Sequence, residues 1–251
     1  MLLELPGLPD AAAPPKPLRA SVTGLVTYAT CPRRFYWSEV DRLPRRFSAA
    51  ARRGVELHRR IELHLRGAIP FEEAEEDNYD LSPDERSPGA APLHDPFSAF
   101  QQSRFAGQQP LFIEAPFDLK VGRGRVRGRV DAIYPAPHGG WEVVDFKSGR
   151  PTGDLPAKVQ LESYALAARE AGFAPRPPDR LTVTFAYFRD GPQEASEEVD
   201  RPWLESARRH LEELVGAIEQ ERYEATPSQA CGTCDFLKFC RPGREWMEAT
   251  G

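Results

Sequence analysis

The sequence contains no apolar run approaching the roughly 18 residues that a membrane span needs, and its mean hydropathy is −0.54. Its first residues, MLLELPGLPDAAAPPKP, lack the basic start of a secretory signal, and prolines interrupt their apolar stretch. Both absences argue against insertion and secretion and for a cytoplasmic chain. Cysteine is scarce, four in 251 residues. That is too few for a disulfide framework, so thiols that converge are better read as metal or cluster ligands. No internal repeat is present. Net positive charge is missing too, the total being −5.

That charge is unevenly spread. Residues Glu72 to Arg86 hold eight acidic side chains and one basic, a local −7, which leaves the remainder of the chain at +2. Between Arg33 and Arg66 ten arginines face only Glu39, Asp41, Glu56 and Glu62, a local +6. Such a block suits phosphate contacts or a solvated helical surface equally well.

Residues 1–19, rich in Pro and Ala, read as a disordered leader or linker, and 20–251 as one domain. Ser21 is placed to cap a helix carrying Leu25, Tyr28, Ala29 and Phe35 inward. A second helix is expected from Ser48 to Arg66, with Val55, Leu57, Ile61 and Leu65 on its apolar side. Residues 70–98 read as an acidic surface loop or insertion. Strands follow over Leu111–Leu119, Arg125–Tyr134 and Trp141–Lys147, then a helix over Leu155–Ala171 and a strand over Leu181–Phe188. A final helix over Pro202–Arg222 carries Leu204, Leu211, Leu214 and Ile218 inward. This order predicts an α/β domain with a mixed central sheet flanked by helices.

The chemistry concentrates in Gly128-Arg-Val-Asp131 and Val143-Val-Asp145-Phe-Lys147-Ser-Gly149. Asp145 and Lys147 are two apart on a strand, so they leave the same face, and Asp131 ends the neighbouring strand. Paired carboxylates repel unless a cation lies between them, and oxygen ligands suit Mg²⁺ or Mn²⁺. An adjacent lysine can orient water or offset phosphate charge. The competing reading is a simple ion pair between Asp145 and Lys147.

The ordered set His58, Glu114, Asp131, Asp145, Lys147, Gln160 and Tyr164, in the contexts RGVELH, GRVD, VVDFKSG and QLESY, resembles the PD-(D/E)XK nucleases, specifically their RecB-like branch. The resemblance spans about residues 21–245 and implies a restriction-endonuclease-like core. It implies that His58, Asp131 and Asp145 bind the cation, with the Phe146 carbonyl as a further ligand, and that Lys147 acts on the attacking water. Gln160 and Tyr164, four apart on one helix face, would steady the lysine or a DNA phosphate. Glu114 could equally be an exposed strand glutamate. His64, His94, His138 and His210 read as structural.

Cys231-x2-Cys234-x5-Cys240, with Cys31 far upstream, could converge on one centre, and thiolate ligation serves Zn²⁺ and iron–sulfur clusters alike. One cysteine before the histidine helix and three after the last helix is similar to the iron–sulfur RecB-like nucleases, including AddB-type subunits and CRISPR-associated exonucleases. The resemblance therefore implies a structural 4Fe–4S cluster. By loop-closure arguments, joining Cys31 to Cys231 would remove roughly 5 kcal/mol of unfolded-state freedom. Near the first cysteine, Arg33 and Arg34 are candidate DNA contacts, as is Arg53, while Phe35, Tyr36 and Trp37 suit either base stacking or packing beneath the cluster.

The function expected is a Mg²⁺- or Mn²⁺-dependent deoxyribonuclease acting on single-stranded DNA or DNA ends, in repair, recombination or CRISPR adaptation. Two alternatives remain open: a module that works with a helicase, or a non-catalytic DNA-binding scaffold.

Overall fold

The computed structural model describes residues 17–45, 48–68, 95–151 and 155–250. A short strand β1 (Arg19–Ser21) leads into helix α1 (Val22–Thr30), whose first turn is capped by Ser21 Oγ accepting from the Gly24 N–H at 2.9 Å. After Cys31 the chain re-enters a one-turn helix α2 (Pro32–Phe35) with proline at its start, followed by a π-helical turn over Tyr36–Val40. Helix α3 (Ala49–Leu65), capped by Ser48, buries Leu57, Ile61 and Leu65 along one stripe. Helix α4 (Pro96–Gln101) is capped by Asp95.

Strands β2 (Phe112–Val121), β3 (Gly124–Ala136) and β4 (Gly140–Lys147) form an antiparallel meander. Helix α5 (Leu155–Glu170) then crosses to β5 (Leu181–Tyr187), which lies parallel to β4. β6 (Gln193–Glu198) adds an antiparallel edge. Helix α6 (Arg201–Glu219) and helix α7 (Arg241–Thr250) complete the chain. The sheet is six-stranded and mixed, as expected.

Each face of the sheet has its own core. Against one face pack α1, α5 and α6 through Leu25, Tyr28, Val159, Ala165, Leu211 and Val215, meeting Val126, Val130, Val143 and Val183. Against the other pack α3 and α4 through Leu57, Ile61, Phe97 and Phe100, meeting Ala132, Tyr134, Val144 and Phe146. Residues 161–168 of α5 are all buried, Glu162 and Ser163 among them, because the helix lies deep in the first core.

Several expectations need correction. Arg19, assigned to the leader, pairs with Arg125 as the first residue of β1, and residues 1–16 fall outside the described set. The end of the proposed acidic loop is helical, since 96–98 open α4; its residues 70–94 are outside the described set. Val55 does not face the core: it is 60% exposed, because it precedes Leu57 by two residues, about 200° around the helix. On α6 the fully buried positions are Ala207, Leu211, Val215 and Ile218, with Leu204 and Leu214 only flanking. β1 and β6 were not anticipated: the first is three residues long, and the second, QEASEE, is exposed at every position.

Candidate active site and cysteine centre

β3 carries two partners on one edge. β1 pairs with Arg125–Arg127 and β4 with Ala132–Ala136, while β2 runs along the opposite edge. Between β1 and β4, residues 128–131 have no strand partner on that side. The sheet is notched there. A cleft opens at the notch, lined by Ser21–Thr23, by Gly54, Val55, His58 and Arg59 of α3, and by Gln160 and Tyr164 of α5, together with Glu114 and Asp131.

The side-chain alternation breaks at the same place. Val130 and Ala132, two apart, face opposite cores, and so do Ile113 and Phe117, four apart. Regular strands would put each pair on one face. Glu114 has φ of 49°, the left-handed region that a glutamate in a strand rarely adopts, and its ladder position opposite Asp131 is skipped. This paired irregularity turns both carboxylates out of the cores and into the cleft.

Three ligand-type atoms converge. One each from His58, Glu114 and Asp131 lies within 4.8 Å of the other two, with His58 Nδ1 at 3.5 Å from Asp131 Oδ2 and 3.7 Å from Glu114 Oε1. Asp131 Oδ2 also accepts from the Phe146 N–H at 2.9 Å, so a side chain completes the β3–β4 seam where backbone pairing stops. Asp145 follows on β4, wholly buried. Its Oδ1 has no partner among the described residues, while its Oδ2 meets the Lys147 ammonium at 2.6 Å. Lys147 also donates to Gln160 Oε1 at 2.7 Å, and Gln160 Nε2 donates to the Tyr164 hydroxyl at 2.9 Å.

Burial, with the neighbouring Asp145 charge, pushes Asp131 up to about 7, against the pull of His58 and the Phe146 N–H. Burial also raises Asp145, the Lys147 ammonium opposing it. His58 is raised to about 9: burial disfavours its charged form, but the Glu114 hydrogen bond and the Asp131 and Asp145 charges outweigh that. Two neighbouring buried carboxylates, one with an oxygen that has no partner among the described residues, are a standing electrostatic cost that a cation between them would relieve. The donor set of imidazole and carboxylates fits a divalent cation. The residues present fit such an ion.

All seven residues anticipated for this site reach one region. The Phe146 side chain lies in the α3–α4 core, its N–H being what reaches Asp131. Arg33 and Arg34 lie elsewhere, against the cysteines, and Arg53 is on α3 one turn before Leu57. The arginines that line the cleft are Arg59, Arg127 and Arg129. Their signal was available: in Arg123-x-Arg125-x-Arg127-x-Arg129-x-Asp131 the arginines recur every second residue, in phase with the aspartate.

Cys31, Cys231, Cys234 and Cys240 line one second cavity, and all four are free thiols. Cys31 sits between α1 and α2. Around Cys240 the chain turns through short 3₁₀ segments, with the Ser228 N–H donating to Cys231 Sγ at 3.5 Å. At Gly243 a β-carbon would lie 3.4 Å from both Cys231 Sγ and Cys240 Sγ, so glycine leaves the space beside the sulfurs open. Four thiols line one cavity, and thiolates are the donors of zinc and iron–sulfur centres alike. The aromatics anticipated here pack within the protein: Phe35 and Tyr36 against Tyr223, and Trp37 against Phe236. Arg33 Nε donates to the Tyr223 carbonyl at 2.8 Å. Of the other histidines, His64 bonds to the Ala106 carbonyl and His210 to Glu162, and His94 is outside the described residues.

Among curated proteins, no sequence matches this chain. In fold it is similar to the crystal structure of SSO0001, with 18% identity, a TM-score of 0.50, and 92% of this chain covering 89% of that one. It is also similar to the crystal structure of a candidate exonuclease from Eubacterium rectale, with 10% identity, a TM-score of 0.49, and 90% of this chain covering 87% of that one. The sequence matches the PD-(D/E)XK nuclease superfamily over residues 19–241, from β1 to the start of α7. That span contains the notch, its carboxylates and its lysine, and the chain belongs to the PD-(D/E)XK nuclease superfamily.

Proposed function

We propose that the protein is a Mg²⁺- or Mn²⁺-dependent deoxyribonuclease of the RecB-like branch, acting on single strands or DNA ends, with residues 20–251 forming the nuclease domain. The observation that carries this reading is Asp145, a wholly buried carboxylate beside Asp131 whose Oδ1 has no partner among the described residues. His58, Asp131 and Asp145 would hold the cation, with Glu114 and the Phe146 carbonyl as further donors. When bound, the ion supplies positive charge that acidifies water and offsets charge on the phosphate.

The chain's own residues do the rest. An ammonium has three N–H donors. At Lys147 one is spent on Gln160 and one faces Asp145, leaving a third for water or a phosphate oxygen. Tyr164, buried against Phe117, fixes the Gln160 amide, which fixes the lysine. The cysteine cavity is best filled by a 4Fe–4S cluster that ties Cys31 to the C-terminal trio, as a structural staple rather than a catalyst. Repair, recombination or CRISPR adaptation, alone or with a helicase, are the settings this activity fits.

The test is anaerobic preparation of the full chain and incubation with Mn²⁺ or Mg²⁺ and end-labelled single- and double-stranded DNA. Cation-dependent shortening of the single strand is expected. Hydrolysis no greater than that of Asp145→Asn with every cation and substrate would overturn the reading.

A further inference from the structure

Between Gly124 and Val130 the β3 side chains alternate regularly. Val126 and Val130 enter the α1–α5–α6 core, so Arg125, Arg127 and Arg129 project from the other side. Arg127 and Arg129 line the cleft together with Glu114 and Asp131. Their side chains are 54% and 58% exposed. Two residues of a strand advance about 6.7 Å, so the guanidiniums form a row that leaves Asp131 in even steps, comparable to successive phosphates of an extended strand.

The row is short of countercharge. Asp118 is shared, accepting from Arg125 at 2.7 Å and from Arg127 at 3.3 Å. Among the described residues Arg129 reaches the Glu114 Oε2 carboxylate at 3.8 Å, beyond hydrogen-bond range. Three guanidiniums therefore face two carboxylates, one of which is itself turned towards His58. Ser21–Thr23 and α3 line the same cleft, so a ligand that enters the notch meets the row.

We propose that Arg127 and Arg129 are the phosphate-positioning residues of the cleft. They grip the backbone on one side of the scissile bond, so that the bound strand runs from Asp131 along β3 towards Arg125. This rests on the cleft being the nuclease site. It also places strand binding on β3, with Arg59 of α3 lining the same cleft, rather than on Arg33 and Arg34, which stand at the cysteine cavity. Arg127 gives the cleaner test, because its ion-pair partner is Asp118 and not a carboxylate of the cation site.

The experiment measures binding of a labelled single-stranded oligonucleotide by the full chain carrying Asp145→Asn, across a salt series. Adding Arg127→Gln should make the slope of log K against log salt shallower by about 0.7, and adding Arg129→Gln as well by about 1.4. Arg127→Lys should retain most of the slope. Arg201→Gln, at an exposed site outside the cleft, should leave it unchanged. In the active protein Arg127→Gln should raise KM more than it lowers kcat. Neutral methylphosphonate linkages should weaken binding only on one side of the scissile position. A parent protein that binds strongly with an unaltered slope in Arg127→Gln would overturn this assignment alone. A parent that binds no nucleic acid would overturn the proposed function and this assignment together.

Discussion

Lys147 Nζ lies 2.6 Å from Asp145 Oδ2 and also donates to Gln160 Oε1. The ion pair alone does not set where the ammonium points; the helix beside it contributes. α5 supplies Gln160 and, one turn on, Tyr164.

Replacing Gln160 with Leu should therefore release Lys147 while leaving the carboxylates in place. A hydrogen bond to a charged group contributes about 1.5–3 kcal/mol, so hydrolysis should fall roughly 10- to 100-fold. Cation affinity, read by calorimetry, should stay near that of the parent. A parallel loss of cation binding would mean that Gln160 supports the ligands instead.

The raised acids predict a linkage to pH. Asp131 titrates about 7 in the folded chain and near 3.8 when unfolded, so the folded cation-free protein holds protons that the unfolded chain has released. Its stability should thus decline as pH rises from about 4 through 7. His58, raised to about 9, extends the decline from about 6.5 to 9. Cation binding needs the charged acids and should release protons. Calorimetry in two buffers of different ionisation heat should show that release, with affinity falling below pH 7. Asp145→Asn should abolish hydrolysis without lowering the cation-free melting temperature at pH 8, since the desolvation of the buried charge and its repulsion of Asp131 offset the lost pairing with Lys147.

Cys240 is buried, with Gly243 open beside its sulfur. Cys240→Ala should lose iron and brown colour and lower the stability of the whole domain, because one cysteine precedes α3 and three follow α6. Asp131→Ala should keep colour and iron while losing hydrolysis. Roughly four irons per chain are expected in the parent under anaerobic preparation. A colourless parent holding one zinc would overturn the cluster but leave the cleft's chemistry intact.

At Gly128 a β-carbon would lie 2.6 Å from Phe117 Cζ and 2.7 Å from Val22 Cγ2. Gly128→Ala should cost about 1–3 kcal/mol by overpacking, seen as a melting temperature lower by roughly 2–4 °C per kcal/mol. Phe117 meets the Tyr164 ring edge-on, so hydrolysis should fall further than stability alone accounts for.

The meander, α5 and β5 were readable because their apolar periods are long and their turns carry glycine: Gly122, with φ of 55°, turns β2 into β3. That His58, Glu114, Asp131, Gln160 and Tyr164 would lie together could be expected from their order along the chain, which resembles that of a nuclease family. What sequence reasoning lacked was the notch. β1 is only three residues long, too short for a period to show, and the reversal of alternation at Glu114 and Asp131 obeys no propensity. Without the notch, the arginines of β3 looked like one more charged strand face, and the denser block at 33–66 drew the assignment. Val55 misled for a related reason: an apolar residue on a helix suggests a core, whereas here it borders the cleft.

The gap in β3's pairing also bears on assembly. Asp131 is met by α3 from one face of the sheet and stands near α5 from the other, and the lysine that serves it comes from β4, held in register by β5. No subset of these elements encloses the notch. Docking α3 alone leaves Lys147 unaligned, and docking α5 alone leaves Asp131 without His58. The two contacts differ in reach: Lys147 and Gln160 are 13 residues apart, whereas His58 and Asp131 are 73 apart, so the α3 contact carries the larger loop-closure cost. A chain in which α3 has not docked therefore lacks one wall of the cleft and its imidazole, whatever the sheet has already formed.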